Sequence, residues 1–203
     1  MVWPVYRTSR SSDIARPIYF SLCVLVMRLF YGIEPDERSR HAAWDCLENV
    51  KRRVEGRFVI LSNLHMTVCF AGEVDQSRVQ EAMDIGERAA LTAKKGELRL
   101  ARLGYFGKSS NAILYIGVDR AECFTGLSDY LKRSLADAGL PCDPKGFSPH
   151  ITIARKVRVT DEIISSFAPE NVSWTADKLT LFESARVSGQ LTYTPIGRWH
   201  FKR

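Results

Sequence analysis

The chain has 203 residues, with 29 Lys and Arg against 23 Asp and Glu, giving a formal charge of +6. A hydrophobic content of 45% with only 13 Gly and 8 Pro excludes collagen-like, low-complexity and wholly disordered chains, and the length suits one domain or two small lobes. Five cysteines at irregular spacing (Cys23, Cys46, Cys69, Cys123 and Cys142) form no Cys-x-x-Cys pair. That argues against a disulfide scaffold or a zinc ribbon and for a reducing, cytoplasmic setting. The mild basic excess favours a polyanionic partner only weakly.

Residues 1–26 read as an N-terminal extension. Met1 to Arg16 is basic and polar, and Ile18 to Met27 is an apolar run of 10 residues closed by Arg28. This is about half of the ~20 residues a membrane-spanning helix needs, so no membrane association is expected. A signal peptide fits less well, because no small-x-small cleavage site follows. The remaining readings are a poorly ordered extension and sequence upstream of a true start at Met27, the second being preferred. Residues 27–203 are then the functional domain.

Arg28 to Ile33 predicts a strand. A helix is expected over Asp36 to Val54, with Trp44, Leu47, Val50 and Val54 at helical spacing, Asp36 as start signal and Gly56 as stop. A second helix is expected over Gln76 to Lys94 behind Asp75, a third over Phe124 to Ala138 ended by Gly139, and a short fourth over Thr160 to Phe167 before Pro169. Gly104 to Asn111 reads as a turn-rich link, and Ser188-Gly189 as a hairpin turn feeding Leu191 to Ile196. Within this order, Asn63-Leu-His65-Met-Thr67-Val-Cys-Phe70 and Ser148-Pro-His150-Ile-Thr152-Ile-Ala-Arg155 place two His-x-Thr patterns 85 residues apart. The same offset aligns Leu29–Glu34 with Leu114–Asp119. Glu97–Leu100 resembles Lys178–Leu181 at an offset of 81. Such matches suggest a duplication in which each half reads strand, helix, His-x-Thr strand, helix, strand. The expected class is α+β and bilobal: two pseudo-twofold-related antiparallel-sheet lobes with outer helices and a central cleft carrying both motifs.

On a strand, residues i and i+2 share a face about 6.5–7 Å apart, so His65 lies beside Thr67 and His150 beside Thr152. The opposite face, with Leu64, Met66, Val68 and Phe70 in the first copy, is expected in the core. A dyad between the lobes brings the pairs together across one cleft. There one neutral imidazole can take a proton from a nucleophile while the other, protonated, gives one to a leaving oxygen. The hydroxyls suit phosphate oxygens, and Arg155 a charge-assisted contact. A single His-x-Thr is more often structural, but two copies in matching contexts argue against that. Arg155 is equally readable as a solvent-facing charge, since strict alternation puts it opposite His150 and only a bulge brings it to the cleft. Cys69 falls on the His65 face. His41 and His200 are read as structural, and Gly107-Lys108-Ser109 as a turn, because a phosphate loop needs Gly where Arg102 stands.

The two motif segments, extended to Val74 and Lys156, resemble the paired motifs of the two-histidine phosphoesterases, and within them the RNA 2′,3′-cyclic phosphodiesterase or 2′-5′ RNA ligase (LigT-like) family. Met27-Arg-Leu-Phe is similar to that family's usual start, and Leu181-Phe-Glu-Ser184 with Tyr193 to its C-terminal signature. Ala71 departs from the larger apolar residue usual there. The resemblance implies hydrolysis of a ribose 2′,3′-cyclic phosphate to the 2′-phosphate, with His65 as general acid, His150 as base, Thr67 and Thr152 on the phosphate, and Arg155 assisting. It implies no metal and no cofactor. Expected partners are RNA ends carrying the cyclic phosphate or small cyclic nucleotides, acted on by a monomer. Alternatives are a phosphodiesterase for another small cyclic phosphate, a reversible 2′-5′ RNA ligase, and a non-catalytic RNA- or nucleotide-binding module.

Overall fold

The computed structural model describes residues 25–202, so the expectation for residues 1–24 lies outside the described residues. The chain runs β1 (Val26–Ile33), α1 (Glu37–Lys51), β2 (Arg57–Phe58), β3 (Met66–Asp75), α2 (Val79–Ala90), β4 (Gly96–Phe106) and β5 (Ala112–Asp119). It continues through α3 (Thr125–Asp137), β6 (His150–Val157), α4 (Asp161–Ser166), β7 (Ser173–Ala176), β8 (Lys178–Val187) and β9 (Gln190–His200). The strands form one antiparallel sheet in the order β7-β4-β5-β6-β3-β1-β8-β9, with β2 on β6. Among the described residues no helix is long and apolar enough to cross a membrane.

Local chemistry sets the helix limits. The Asp36 carboxylate accepts from the Ser39 N–H at 2.8 Å and starts α1, as the sequence predicts, and Thr160 caps α4 through the Ile163 N–H. Asp75 instead caps a 3₁₀ turn over 76–78, and α2 then ends at Ala90, shorter than expected. Gly104 is not in a link. It continues β4, because the Tyr115 ring on β5 lies over it; a Cβ there would meet the Tyr115 hydroxyl at 2.6 Å. The turn begins only at Gly107. Ser188 and Gly189 both have positive φ, as a two-residue hairpin turn of this hand requires, and β9 runs four residues past the predicted Ile196.

The sheet carries an internal dyad between β3 and β6. These strands pair at Met66↔Ile151, two residues related by the 85-residue offset. Beyond it the ladder repeats. Leu29↔Gly72, Phe30↔Phe70, Tyr31↔Cys69 and Gly32↔Thr67 in one lobe match Ala112↔Val157, Ile113↔Arg155, Leu114↔Ala154 and Tyr115↔Thr152 in the other. Both lobes bulge at the same two places, at Val68 and Ala71 in β3 and at Ile153 and Lys156 in β6. The His strands therefore correspond at an offset of 85, but β1 and β5 correspond at 83. The expected alignment of Leu29–Glu34 with Leu114–Asp119 is two residues out, because the stretch between first strand and His strand is two residues longer in the second copy. The Glu97–Lys178 match also fails: Phe106 of β4 occupies the place of Phe182 of β8, each pairing with the equivalent residue of β5 or β1.

The lobes are not contiguous halves. β4, which closes the first sequence half, pairs with β5, and β8, from the second half, pairs with β1. One lobe is thus β3-β1-β8-β9 and the other β6-β5-β4-β7. The helices cover the apolar face, where Leu29, Tyr31, Met66, Val68, Ile116, Ile151 and Ile153 meet Leu47, Val50, Ile85, Leu131 and Leu135. Two buried polar ties fix them. Tyr31 Oη donates to the Ala82 carbonyl of α2 at 2.6 Å, and Ser128 Oγ of α3 to the Val68 carbonyl at 2.8 Å. Replacing Tyr31 by Phe removes one buried hydrogen bond and is expected to lower the unfolding free energy by about 1 kcal/mol in urea denaturation. An unshifted midpoint would mean that this bond does not hold α2 to the sheet.

Candidate active site

The face of β3 and β6 left bare by the helices is a cleft. One cavity of about 450 Å³ is lined by His65, Thr67, His150, Thr152 and Arg155, so the structure brings all five sequence-predicted residues together. It adjoins a second of about 490 Å³, walled by Phe106, Ile113, Lys132 and Phe147; Thr67, Phe70, His150, Thr152 and Arg155 border both.

Arg155 reaches the cleft through the bulge that alternation alone could not supply. The extra residue Ile153 lets Ile153 and Ala154 both turn into the core, and this restores Arg155 to the His150 face. The matching bulge at Val68 corrects two expectations in β3. Cys69 is buried at 2% exposure with its Sγ 3.7 Å from that of Cys142, and burial pushes its thiol far above the usual range. Phe70, expected in the core, lines the cleft instead, at the position related by the dyad to Arg155. The Arg28 guanidinium lies over the Phe70 ring at 4.9 Å.

Each imidazole is held the same way. Nδ1 of His65 is 2.7 Å from the Asn63 carbonyl, and Nδ1 of His150 is 2.7 Å from the Ser148 carbonyl, again 85 residues on. A carbonyl only accepts, so Nδ1 carries hydrogen in both, and Nε2 is left for the cleft. His65 Nε2 lies 3.0 Å from the Thr67 hydroxyl. Asn63 is itself fixed: its side-chain amide donates to the Leu191 carbonyl at 2.8 Å and accepts from the Tyr193 N–H at 3.0 Å, tying β9 to the turn that orients His65. Aromatic rings complete the seats. Phe30, Phe182 and Tyr193 surround His65 with centroids 4.7–5.6 Å away, and Phe106 and Tyr115 flank His150 at 4.9 and 5.3 Å.

These seats set the electrostatics. Burial lowers the His65 pKa to about 4 against the Asn63 hydrogen bond, which favours the cation, while His150 and Arg155 lower it further. Burial likewise lowers that of His150, with Arg155 adding to the effect. Among the described residues no carboxylate lines the 450 Å³ cavity. At neutral pH the site is therefore uncharged at its histidines and positive at its arginines, and a bound anion favours protonation of the imidazoles. His41 and His200 lie elsewhere, bonded to the Glu37 carbonyl and to Asp177. Asn63, Phe30, Phe70 and Arg28 carry no signal in the motif and were given no site role by the sequence; Tyr193 stands only in the C-terminal signature.

A duplicated antiparallel sheet with one His-x-Thr strand from each lobe places the protein among the two-histidine phosphoesterases. The sequence model of the 2′-5′ RNA ligase superfamily matches residues 35–187, and the chain belongs to that superfamily. It is 27% identical over 176 residues to a Thermotoga maritima protein named RNA 2′,3′-cyclic phosphodiesterase, covering 84% of this chain and 90% of that one. It is 29% identical over 147 residues to the Escherichia coli protein of the same name, covering 71% and 79%. Escherichia coli LigT in complex with 3′-AMP has a similar fold, with a TM-score of 0.76 at 24% identity, spanning 88% of this chain and all of that one. The apo form of LigT matches with a TM-score of 0.71 at 25% identity over 88% and 99%.

In ¹⁵N NMR of the free protein at pH 7, both imidazoles are expected as neutral Nδ1–H tautomers, with His65 titrating near pH 4. Inorganic phosphate is expected to raise both midpoints, and an Nε2–H tautomer at either would contradict the carbonyl-anchored seats. Both folded-state values are depressed, so the unfolded chain binds these protons first. Their contribution to stability is complete above about pH 6.5 and is lost as pH falls through the folded values, for His65 near 4.

Proposed function

We propose that the chain hydrolyses the 2′,3′-cyclic phosphate at RNA ends, or on nucleosides, to the 2′-phosphate by paired-histidine acid–base catalysis. The observation that carries this reading is the pair of dyad-related imidazoles, each with Nδ1–H committed to a carbonyl, beside a 450 Å³ cavity lined, among the described residues, by arginines and by no carboxylate. Superfamily membership and relatives named RNA 2′,3′-cyclic phosphodiesterase support it.

The cyclic phosphate lies between the two His-x-Thr pairs, its non-bridging oxygens accepting from the Thr67 and Thr152 hydroxyls and from Arg155. His150 Nε2 takes a proton from water, which attacks phosphorus in line with the departing 3′ oxygen. His65 Nε2, protonated once the anion is bound, gives its proton to that oxygen. The P–O3′ bond breaks, the ribose keeps the phosphate on O2′, and the proton on His150 returns to solvent. Seating His65 among aromatic rings makes it a stronger acid, while the phosphate charge restores its proton occupancy.

Replacing either His65 or His150 by Ala is expected to cost about 10²–10⁴-fold in kcat on a 2′,3′-cyclic mononucleotide, with product resolved as the 2′- or 3′-phosphate. Undiminished turnover in either variant, or a 3′-phosphate product, would defeat this mechanism. The pH profiles are expected to be bell-shaped and displaced from one another. In kcat/KM, which reports the free enzyme, the depressed imidazole values place the optimum on the acid side; in kcat, the bound phosphate moves it upward. Coincident optima would mean that the anion does not control protonation.

A further inference from the structure

The 450 Å³ cavity holds more positive charge than one phosphate uses. Besides Arg155 it is lined by Arg28 of β1 and Arg186 of β8, together with Ser184. Among the described residues neither guanidinium is ion-paired, although both line a cavity that also holds Arg155. Arg28 stands opposite Glu73 in the strand register, yet its guanidinium lies over the Phe70 ring and not on that carboxylate. The ring restrains the guanidinium without taking its N–H groups from an anion in the cavity. Arg186 gives one N–H to the Gly189 carbonyl at 2.9 Å and keeps the rest.

Position says what these groups meet. Arg155 belongs to the lobe of His150, while β1 and β8 belong to the lobe of His65. In the in-line reaction above, water enters from the His150 side and the ribose oxygen leaves towards His65. The ribose, and whatever its C5′ carries, therefore lies over β1, β8 and β9. Resting on that reading, we propose that Arg28 and Arg186 form a second phosphate subsite, which binds the 5′-phosphoryl group of the nucleotide bearing the cyclic phosphate. An internal RNA phosphodiester and a terminal 5′-phosphate both present that group. The subsite selects these over a nucleoside cyclic phosphate with a free 5′-hydroxyl.

The test compares kcat/KM for adenosine 2′,3′-cyclic phosphate, its 5′-phosphorylated form and the ApA dinucleotide ending in a 2′,3′-cyclic phosphate, in the natural protein and in the Arg28→Gln/Arg186→Gln double variant. The natural protein is expected to favour the 5′-phosphoryl substrates by about 10-fold or more, as two charge-assisted contacts allow, and the double variant to bring the ratio towards one. A preference for the dinucleotide alone identifies the internal diester as the source, and a preference for the 5′-phosphorylated mononucleotide alone identifies the terminal phosphate. No preference in the natural protein, a ratio retained in the variant, or an equal loss on all three substrates would overturn the subsite. Arg186→Gln alone serves if the double variant does not fold. Calorimetric titration with adenosine 2′,5′-bisphosphate and adenosine 2′-phosphate reads the same selectivity without turnover. Absence of hydrolysis with the bisphosphate advantage intact would thus refute the proposed reaction and leave the subsite standing.

Discussion

The Met66–Ile151 backbone pair joins the lobes at their pseudo-dyad, and the active-site geometry follows from it. Each of the two residues sits one place after a His-x-Thr histidine, with its side chain wholly buried, so His65 and His150 project together from the other face. Past this point the free edge of β6 is taken by β2, at Arg57↔Arg155 and Phe58↔Ala154, and not by β3. The lobes share one sheet and one core, yet β3 and β6 leave a cleft between their motif-bearing faces. A slip of one residue in this pairing would put His65 and His150 on opposite faces of the sheet and send one of them into the core.

Duplication supplies two similar seats, and their small inequalities give the site a direction. The dyad exchanges Phe70 with Arg155, and Gly32 with Tyr115. Gly32 is needed where it stands: a Cβ would lie 3.0 Å from the Met66 carbonyl and 3.3 Å from the His65 ring. With Gly at this point, Phe30, Phe182 and Tyr193 close around His65, whereas His150 keeps Tyr115 at its flank and Arg155 at its front. Desolvation is the larger influence on both imidazoles, and it is stronger at His65. Two identical residues are thus distinguished by their surroundings, as the proposed division into acid and base requires.

The motif residues were readable because their chemistry is local. His65, Thr67, His150 and Thr152 sit on strands whose alternation survives from i to i+2, and the cap at Asp36 and the turn at Ser188-Gly189 depend only on neighbours. What failed depends on distant pairing. Alternation assumes an unbroken ladder, so the bulge at Val68 reversed the expected facing of Cys69 and Phe70, while the bulge at Ile153 is the one that Arg155 needed to reach the cleft. The exchange of β4 and β8 between lobes leaves no trace in either strand's own pattern, since a half-buried strand alternates alike beside any partner. Two residues of extra length in one copy shifted the β1–β5 correspondence while preserving parity, so the faces came out right and the register did not.

That exchange also bears on how the protein emerges during synthesis. β1 is made first, but its outer neighbour β8 and the Tyr193 strand are made last. Until β8 and β9 have been made, β1 presents an unsatisfied edge, and His65 lacks two of the rings that desolvate it. The seat of His150 has no such delay, since Phe106 of β4 and Tyr115 of β5 precede it in the chain. The nascent chain therefore completes one histidine seat before the other, and the burial that depresses the His65 pKa is complete only when the β8–β9 hairpin docks.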